Sequence, residues 1–471
     1  MKKILALLLA AALLLPSAAL AKETKPSDSA QAVSIDWSAR YTYEELEGQL
    51  EEINSSYPDI TALYPIGHSW QERTLWCMEV TDGAVQKSEK TGIAVFANIH
   101  GGERESASCA MYFAWWLTKN SETKRVQDIL SNYVIYVIPV INPDGYEQSF
   151  VYNTRQNLRP VDANGDGVAF SDPYTDLDGD GYIATLYRGT ADAQPDRKTA
   201  SIFGMESPDW DKNGVLGDDP RNSGIDMNRT FDYQWNRYDV DTRETGVVGT
   251  NSFSRAGASA ATEPEVQAVQ NFLLNNEVDA LATLHTGIQS VLYPWCYRAY
   301  DETKDSESIL FMKDVAEKMA AAFQKTTGRG FYTKSSYEDY PTSAELIDYA
   351  YGRLNIDAYT IEVYNGGKSA DGALSSCKWE NQLPEATWKF YGRAALAAMG
   401  LDVDALVGRD GQKLAENEGL WFYTDSRAQM VDKAPEGQEL MAEGCKDALL
   451  VMIDSEPNGA GYTKPEYLNW K

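Results

Sequence analysis

The stretch FANIHGGERES, residues 96–106, brings two metal-binding residue types three positions apart. His100, one of three histidines in 471 residues, follows an apolar run and is separated from Glu103 by two glycines. An imidazole and a carboxylate held by such a turn can bind one zinc ion, and a catalytic zinc needs a third protein ligand. An H-x-x-E pair occurs often by chance, so the spacing alone is a weak signal. His285 ends an apolar run and His68 lies among turn residues, and we favour His285 as the third ligand.

Two further features suit carboxylate binding and proton transfer. Asn228 and Arg229 are adjacent in GIDMNRTFDYQW, and a guanidinium can hold a carboxylate through two hydrogen bonds. Glu362 interrupts the apolar run TIEVYN, where an ionised carboxylate is costly unless it has a partner or a task. A surface arginine and an outward-facing glutamate would account for the same residues, so these features need the support of the elements around them.

Apolar runs and amphipathic patterns alternate through most of the chain. Continuous apolar runs such as TGIAVFANIH, VDALATLHTG and DAYTIEVYNGG predict buried strands. Patterns such as SASCAMYFAWWLTKN and ESILFMKDVAEKMAAAFQKTTG between them predict helices. This alternation indicates an α/β domain with a mainly parallel sheet that helices cover on both faces. His100, His285 and Glu362 fall at or near strand ends, where ligands bind in such sheets.

The first 21 residues, 1–21, have the pattern of a secretory signal peptide. Lys2 and Lys3 precede an apolar run, and we expect cleavage after Ala21. Residues 22–35 are polar and predict a flexible leader. No other stretch approaches the ~20 apolar residues that a membrane span needs. We therefore expect an exported protein without a membrane span, as is typical of secreted bacterial proteins.

The net charge and the cysteines exclude two classes of binding site. The formal net charge is −28, and so acidic a surface repels nucleic acid and anionic lipid. The five cysteines include no CxxC pair, so a cysteine-bound metal is not expected. Their odd number leaves at least one thiol unpaired. Cys109 lies in an apolar helical run and is predicted to be in the core, while Cys296 and Cys377 are candidates for a disulfide.

Taken together, the motifs resemble a known family. HGGE, NPDGY, GIDMNRTFDYQW, TLHTG and TIEVYNGG occur in the order found in the zinc carboxypeptidases related to pancreatic carboxypeptidase A, over roughly residues 40–400. The resemblance implies an α/β/α sandwich with a mixed, mainly parallel eight-stranded sheet. It implies one catalytic zinc ion bound by His100, Glu103 and His285, and a peptide or protein as substrate. We expect the enzyme to be a monomer.

The resemblance also implies roles for residues around the metal. Asp226 matches the acid that orients the first zinc ligand, and Glu362 matches the catalytic glutamate. Asn228 and Arg229 match the pair that binds the terminal carboxylate of the substrate. Gly102 departs from the pattern, because the pancreatic enzymes carry an arginine there, and this departure concerns the outer subsites.

Three other assignments follow from the resemblance. Tyr340 matches the mobile tyrosine that closes over the substrate, with Tyr337 as the alternative. Ile347 matches the base of the specificity pocket, and its apolar side chain indicates a preference for hydrophobic or aromatic C-terminal residues. The arginine that stabilises the oxyanion is either Arg155 or Arg159 in NTRQNLRPVD, and we favour Arg159.

An acidic, glycine-rich insertion, residues 150–225, separates these motifs. It holds two runs that repeat the first half of an EF-hand loop, with these possible calcium ligands: Asp162, Asn164, Asp166, Asp176, Asp178 and Asp180. A third run, DWDKNGVLGDD, adds Asp209, Asp211, Asn213, Asp218 and Asp219. No glutamate stands at the twelfth position, so these are not EF-hands. Their oxygen-rich side chains still suit Ca²⁺, and the alternative is a solvated acidic loop.

The sequence thus predicts a catalytic domain over residues 36–400 and an extension of unknown role over residues 401–471. Two runs in the extension, LWFYTD and ALLVMID, have a strand-like pattern. We expect a secreted zinc metallocarboxypeptidase. A peptidase that cuts stem peptides of peptidoglycan is an alternative within the same chemistry. A non-catalytic, calcium-dependent binding protein is a third, disfavoured because the ligands and the catalytic glutamate are all present.

Overall fold

The computed structural model describes residues 33–235, 256–304, 306–363, 387–424 and 437–457. The predicted signal peptide and most of the predicted leader lie outside these ranges, as does Cys377. Within them, every helix is too short or too polar to cross a membrane. Cys109 is buried in the core as predicted, and Cys296 is buried with its thiol directed at Glu345.

The strands of the described residues form two sheets. They are β1 Thr61–His68, β2 Thr74–Val80, β3 Thr91–Ala97, β4 Tyr133–Ile138, β5 Thr185–Gly189, β6 Gly204–Met205, β7 Ala280–His285, β8 Ser290–Tyr293, β9 Tyr332–Ser335, β10 Asp357–Glu362, β11 Thr387–Gly392 and β12 Gly419–Thr424. The larger sheet has eight strands in the order β1-β2-β4-β3-β7-β10-β8-β9. Its neighbours β4, β3, β7 and β10 are parallel to one another, while β1, β2 and β8 join by antiparallel pairing. The predicted eight-stranded mixed sheet is confirmed.

Helices cover this sheet. They are α1 Tyr43–Ser56, α2 Arg104–Lys119, α3 Lys124–Asn132, α4 Pro143–Gln148, α5 Pro264–Asn275, α6 Glu307–Thr327, α7 Ser336–Asp339, α8 Leu346–Leu354, α9 Arg393–Ala398 and α10 Gln438–Asp454. Helix α10 packs against both α6 and α2, and α5 and α8 form a second contact group on the sheet. The central strands are apolar throughout because both of their faces are buried, as their continuous apolar runs predicted.

The second sheet joins the acidic insertion to chain that follows the main sheet. Its order is β11-β12-β5-β6, and all of its pairs are antiparallel. It has a small apolar core of its own, in which Leu186 of β5 packs with Phe422 of β12. The insertion is therefore folded into a sheet whose other half comes from residues 387–424.

The predicted boundary at residue 400 does not separate two units. Strands β11 and β12 lie on either side of it and pair along their length. The run LWFYTD is β12, as predicted, but the run ALLVMID, residues 448–454, belongs to α10 and not to a strand. Helix α10 packs on α6 and α2, so this part of the predicted extension covers the core of the larger domain.

Candidate metal centre and active site

The site lies where three neighbouring parallel strands end. His285 is the last residue of β7, and Glu362, the last of β10, is its partner in the parallel register. Strand β3, on the other side of β7, ends at Ala97, and His100 follows in the next turn. The carboxyl ends of the central strands therefore bring together three residues that are far apart in the sequence.

A tight turn between β3 and α2 holds His100 and Glu103. Asn98 has a positive φ of 52°, and its side-chain amide donates to the carbonyls of His100 and Gly101 at 3.1 Å each. A Cβ atom on Gly101 would lie 2.3 Å from the backbone of Gly145 in α4, so the turn requires glycine there, whereas a Cβ atom on Gly102 would meet the side chain of Asn153. Glu103 then caps the start of α2. The HGGE motif is thus a backbone requirement as well as a ligand pair.

The three predicted metal ligands converge on one point. His100 Nδ1 lies 2.8 Å from Glu103 Oε1, His285 Nδ1 lies 3.1 Å from Glu103 Oε2, and the two Nδ1 atoms are 3.2 Å apart. Burial alone would raise the pKa of Glu103, but the two imidazoles hold it below its ordinary value. Two imidazole nitrogens and a carboxylate are the donor set of catalytic zinc sites, so these residues fit a zinc ion.

Asp226 connects this centre to an arginine. Its Oδ1 lies 3.3 Å from Nε2 of His100, and its Oδ2 accepts a hydrogen bond from Nε of Arg155 at 2.7 Å. Burial opposes ionisation of Asp226, but Arg155 and His100 hold its pKa well below the ordinary value. The carboxylate therefore fixes the ring of His100 so that Nδ1 faces the metal position, the role predicted for it.

Glu362 lies beside the three ligands with one free carboxylate oxygen. It is buried enough that its Oε2 contacts no solvent, and this oxygen has no hydrogen-bond partner among the described residues. Burial raises the pKa of Glu362 to about 8, and the Glu103 carboxylate adds to this rise while His285 opposes it. A carboxyl group with an unpartnered oxygen beside the metal ligands and a pKa near neutrality suits general acid–base work.

Two cavities meet at the candidate metal ligands. The outer one is a cleft of about 1200 Å³ that runs from His100 and Glu103 to residues 215–223 of the acidic insertion and to residues 407–411, in the segment between β11 and β12. The inner one is a pocket of about 180 Å³ that also contains His285 and Glu362. At a share of about 30 Å³ for each molecule of liquid water, the inner pocket has the volume of about six waters. It can therefore hold little more than one amino-acid residue.

The predicted carboxylate-binding pair lies at the inner pocket. Asn228 is on the pocket lining, and Arg229 beside it is buried. Arg229 donates from Nη2 to the hydroxyl of Tyr340 at 3.2 Å and from Nη1 to the carboxylate of Glu345 at 2.9 Å. Tyr340 is also on the lining, whereas the alternative Tyr337 is packed against the core. Burial raises the pKa of the Tyr340 phenol, so its hydroxyl stays protonated.

Two predicted residues do not reach the site. Arg159 forms an ion pair with Glu263 at 2.7 Å and is not on the inner pocket, whereas Arg155 lines both cavities. Arg155 thus replaces Arg159 as the candidate oxyanion residue. Ile347 is buried in the core and is not a lining residue, because it points away from the pocket that Glu345, two positions earlier, helps to form. The motifs did not indicate Glu345.

The acidic insertion contains three groups of carboxylates with oxygens within 4.8 Å of one another. Each group combines two aspartates of one predicted acidic run with a third acid from elsewhere in the insertion. In two of the groups the third acid, Asp172 or Glu206, was not predicted from the sequence. The groups are Asp162, Asp166 and Asp219; Asp172, Asp209 and Asp211; and Asp176, Asp178 and Glu206. Asn164 and Asp180 belong to the same loops but bond to neighbouring side chains, to Asp211 and Lys389 respectively.

A sequence model of the zinc carboxypeptidase family matches residues 46–385. The chain belongs to the zinc carboxypeptidase family. The match includes all of the residues that form the metal centre and the inner pocket. The match confirms the predicted family and the predicted class of zinc metallopeptidase. Membership of this family identifies zinc as the metal for the three converging ligands.

Relatives of this zinc carboxypeptidase are distant in sequence. It is 23% identical to carboxypeptidase B of Astacus astacus over 71% of its own length and 89% of that protein. It is 24% identical to zinc carboxypeptidase A 1 of Drosophila melanogaster, over 69% of its own length and 61% of that protein. At this distance the individual specificities of the relatives do not transfer.

Solved structures agree on the fold. Carboxypeptidase A from Helicoverpa armigera aligns with a TM-score of 0.55 at 15% identity, over 89% of this chain and 74% of that one. Bovine thrombin-activatable fibrinolysis inhibitor, in complex with tick carboxypeptidase inhibitor, aligns with a TM-score of 0.50 at 16% identity, over 89% of this chain and 99% of that one. At such low identity these alignments support the α/β architecture alone.

Proposed function

We propose that this zinc carboxypeptidase removes the C-terminal residue of peptides. The observation that carries the proposal is the small inner pocket, which adjoins the metal ligands and is lined by Asn228 and Tyr340, with the buried guanidinium of Arg229 3.2 Å from the Tyr340 hydroxyl. A pocket of about 180 Å³ accepts one residue beyond the scissile bond, and Arg229 supplies a positive charge for its carboxylate. The outer cleft has room for the rest of the peptide.

Each residue of the site has a role in this reaction. His100, Glu103 and His285 would hold the zinc ion, which when bound acts as a Lewis acid and makes water nucleophilic near neutral pH. Arg229 orients the substrate by its terminal carboxylate, and the hydroxyl of Tyr340, 3.2 Å from that guanidinium, is placed to donate a second hydrogen bond. The scissile carbonyl is then held between the metal ligands and the arginine.

Glu362 and Arg155 act on the reacting atoms. Glu362 accepts a proton from the attacking water through its free oxygen and returns it to the leaving amine, for which a pKa of about 8 is well matched. Arg155, which Asp226 holds at the lining of both cavities, stabilises the negative charge that develops on the carbonyl oxygen. Binding in a small buried pocket excludes competing water.

A preference for apolar C-terminal residues remains part of the proposal, but pocket residues other than Ile347 would provide it. Ile288 and Leu292 line the inner pocket, whereas Ile347 does not. Besides the metal ligand Glu103 and the catalytic candidate Glu362, two acids lie on the lining, and both are paired, Glu345 with Arg229 and Asp339 with Lys334 at 2.7 Å. Neither acid is therefore left free to select a basic side chain.

Export of the protein and binding of Ca²⁺ by the acidic insertion, residues 150–225, also belong to the proposal. The signal peptide, residues 1–21, rests on its sequence pattern, and a secreted monomer is what we infer from it. The acidic surface, with a net charge of −28, supports solubility outside the cell.

Cleavage of peptidoglycan stem peptides is the second candidate function. The volume of the outer cleft favours it, because a cleft of about 1200 Å³ beside the metal ligands can hold a branched or bulky chain. The same metal centre would serve both substrates. The carboxylate-binding pair favours the simpler peptide substrate.

The deciding experiment compares a blocked peptide that ends in Phe with its C-terminal amide, using the zinc-loaded protein. We expect hydrolysis of the free acid alone and a loss of kcat of about 10²–10⁴ in Glu362→Gln, because the proton acceptor is removed. Glu302→Gln, on an exposed glutamate outside the site, should leave kcat unchanged. Equal cleavage of acid and amide would exclude a carboxypeptidase, and cleavage of muropeptides alone would favour the second candidate.

A further inference from the structure

Three loops of the acidic insertion share a closing hydrogen bond. Loop A is residues 162–167, loop B residues 209–214 and loop C residues 176–181, and each begins with aspartate and ends with glycine. The closing glycines have φ values of 92°, 86° and 87°. In each loop the first aspartate accepts a hydrogen bond from the amide of the closing glycine, at 2.9, 3.1 and 2.8 Å. The loops differ in what surrounds their carboxylates.

Loop C already has a positive charge. The ammonium of Lys389, from the second sheet, lies 2.6 Å from Asp180 and 3.2 Å from Asp178. The hydroxyl of Tyr391 also donates to Asp178, at 2.7 Å. These contacts give two of the three carboxylates of loop C a positive partner from within the protein.

Each of loops A and B is joined by an aspartate that follows the other loop in the sequence. Asp172, ten residues after the start of loop A, joins the carboxylates of loop B, and Asp219, ten residues after the start of loop B, joins those of loop A. A backbone amide of each loop donates a hydrogen bond to the aspartate that joins it. The amide of Trp210 in loop B donates to Asp172 at 2.7 Å, and the amide of Ala163 in loop A donates to Asp219 at 3.0 Å.

The two joining aspartates, Asp172 and Asp219, are not equally satisfied. Both oxygens of Asp219 have partners, since Ser171 donates to its Oδ2 from the backbone at 3.1 Å and from the hydroxyl at 3.3 Å. Asp172 is fully buried, and its Oδ2 has no hydrogen-bond partner in the described part of the chain. A buried carboxylate oxygen without a partner is costly, and here it lies in a group of other carboxylates.

The ionisable groups grouped with Asp172 are other carboxylates. Asp209 and Asp211 each place an oxygen within 4.8 Å of it, and Asp218 is close enough to raise its pKa further. Burial is the main cause of a pKa of about 6 for Asp172. Across the described ranges, no lysine or arginine forms an ion pair with any of these four acids. The side-chain amides of two asparagines, Asn164 and Asn213, bond to Asp211 and Asp218.

We propose that Asp172, Asp209 and Asp211, with Asp218 beside them, bind one Ca²⁺ ion. Carboxylate oxygens are the hard ligands that this ion prefers, and backbone carbonyls and water can complete its six to eight positions. Mg²⁺ fits less well, because it requires near-octahedral geometry and gives up its water reluctantly. The ion would neutralise the buried oxygen of Asp172, which the protein itself leaves unpartnered.

The site would cross-link two segments beside the active-site cleft. Asp172 comes from the chain before β5, and loop B comes from the chain after β6. Val215, Gly217 and Asp218, which follow loop B, line the outer cleft together with Arg155. Bound calcium therefore holds the wall of the cleft, although calcium binding itself does not depend on what the enzyme cleaves.

The test titrates the zinc-loaded full-length protein, freed of calcium on a chelating resin, with CaCl₂ in a calorimeter. We expect a Kd on the order of 10⁻⁴ M, typical of extracellular calcium sites. Asp211→Asn should raise this Kd by about tenfold or more, because one charged ligand is lost. Asp178→Asn, the matched change in loop C, should leave it unchanged. Thermal unfolding without calcium checks that the variants fold, and Asp218→Asn replaces Asp211→Asn if that variant does not.

Terbium luminescence locates the site independently. Trp210 lies between the ligands Asp209 and Asp211 in the sequence, so excitation of its indole should sensitise the luminescence of bound Tb³⁺. Added Ca²⁺ should displace Tb³⁺ and reduce the emission. Trp210→Phe should remove most of the emission and leave the Kd for Ca²⁺ unchanged. Absence of calcium-dependent heat in the wild-type protein would overturn the proposal. So would equal weakening by Asp211→Asn and Asp178→Asn, which would indicate general charge attraction instead of a built site.

Discussion

The guanidinium of Arg155 donates from Nε to Oδ2 of Asp226 at 2.7 Å. The same carboxylate lies 3.3 Å from Nε2 of His100 through its other oxygen, so one buried acid orients both a metal ligand and an arginine of the cavity. Asp226 can do this because it precedes a short 3₁₀ turn, Met227–Arg229, whose start it caps through the amide of Asn228 at 3.0 Å. The turn also carries Asn228 and Arg229, the pair that we propose binds the substrate carboxylate. In this proposal, metal binding and substrate binding depend on one short segment.

Arg155 and Arg159 should respond differently to the same substitution. Arg155→Gln should lower kcat/KM for a free-acid peptide by about 10²–10³, because a donor to the developing oxyanion is lost. Arg159→Gln should change kcat/KM less than about threefold, since Arg159 pairs with Glu263 outside the inner pocket. Steady-state kinetics with zinc content measured in parallel separates loss of catalysis from loss of metal. A larger loss for Arg159→Gln would restore the assignment that the motif alone favoured.

Asp226→Asn should weaken zinc binding by about 10–100-fold while the protein stays folded. Asparagine has the same shape, but it lacks the charge that holds the Nε2 hydrogen of His100. Competition with a chromophoric chelator measures the affinity. The control is Asp144→Asn, on an equally buried aspartate that is paired with Arg73 at 2.7 Å away from the metal ligands. Equal affinities for the two variants would show that Asp226 does not support the metal.

Strand ends could be predicted from the sequence because they follow from burial. The apolar run VDALATLHTG ends at the edge of the sheet, so His285 is the last residue of β7, and Glu362 ends β10 for the same reason. The His100 strand was predicted to end at that residue, but β3 ends at Ala97, because Asn98 with its positive φ begins the turn. Periodicity identifies such elements better than their limits.

Other features depend on contacts that no local pattern contains. Arg155 and Arg159 lie in the same irregular segment, and only their partners, Asp226 and Glu263, distinguish them. Glu345 acquires its role from Arg229, which is 116 positions away. The run ALLVMID has the composition of a buried strand or a buried helix, and its packing between α6 and α2 decides for the helix.

Glu345→Gln should lower KM for free-acid peptides by about fivefold and leave kcat unchanged. The carboxylate of Glu345 lies 2.9 Å from Arg229 and repels a second carboxylate that approaches the same guanidinium. Glutamine keeps a hydrogen-bond acceptor for Arg229 and removes the charge. The KM of the matching amide, which has no carboxylate to repel, should not change. A raised KM for the acid would indicate instead that the charge of Glu345 is needed to position Arg229.

Glu265 should make the protein less stable as the pH rises through the neutral range. This side chain is fully buried in α5, and burial, aided by the charge of Glu263, raises its pKa from 4.5 to about 8. Between these values the folded protein keeps the proton and the unfolded chain releases it. The free energy of unfolding therefore decreases as the pH rises from 4.5 to about 8, by up to about 1.4 kcal/mol per pH unit. Below pH 4.5 both states keep the proton, and the full stability is present.

Glu265→Gln should remove this part of the pH dependence. The amide is neutral at every pH, and Asn157, which donates to Oε2 of Glu265 at 3.2 Å, can still donate to its oxygen. Denaturant unfolding at pH 5, 6.5 and 8 should give a smaller slope for the variant than for the wild-type protein. Glu317→Gln, on an exposed position of α6, should keep the wild-type slope. Parallel curves for the wild-type protein and Glu265→Gln would mean that Glu265 is already ionised when folded, with Asn157 and the backbone stabilising its charge.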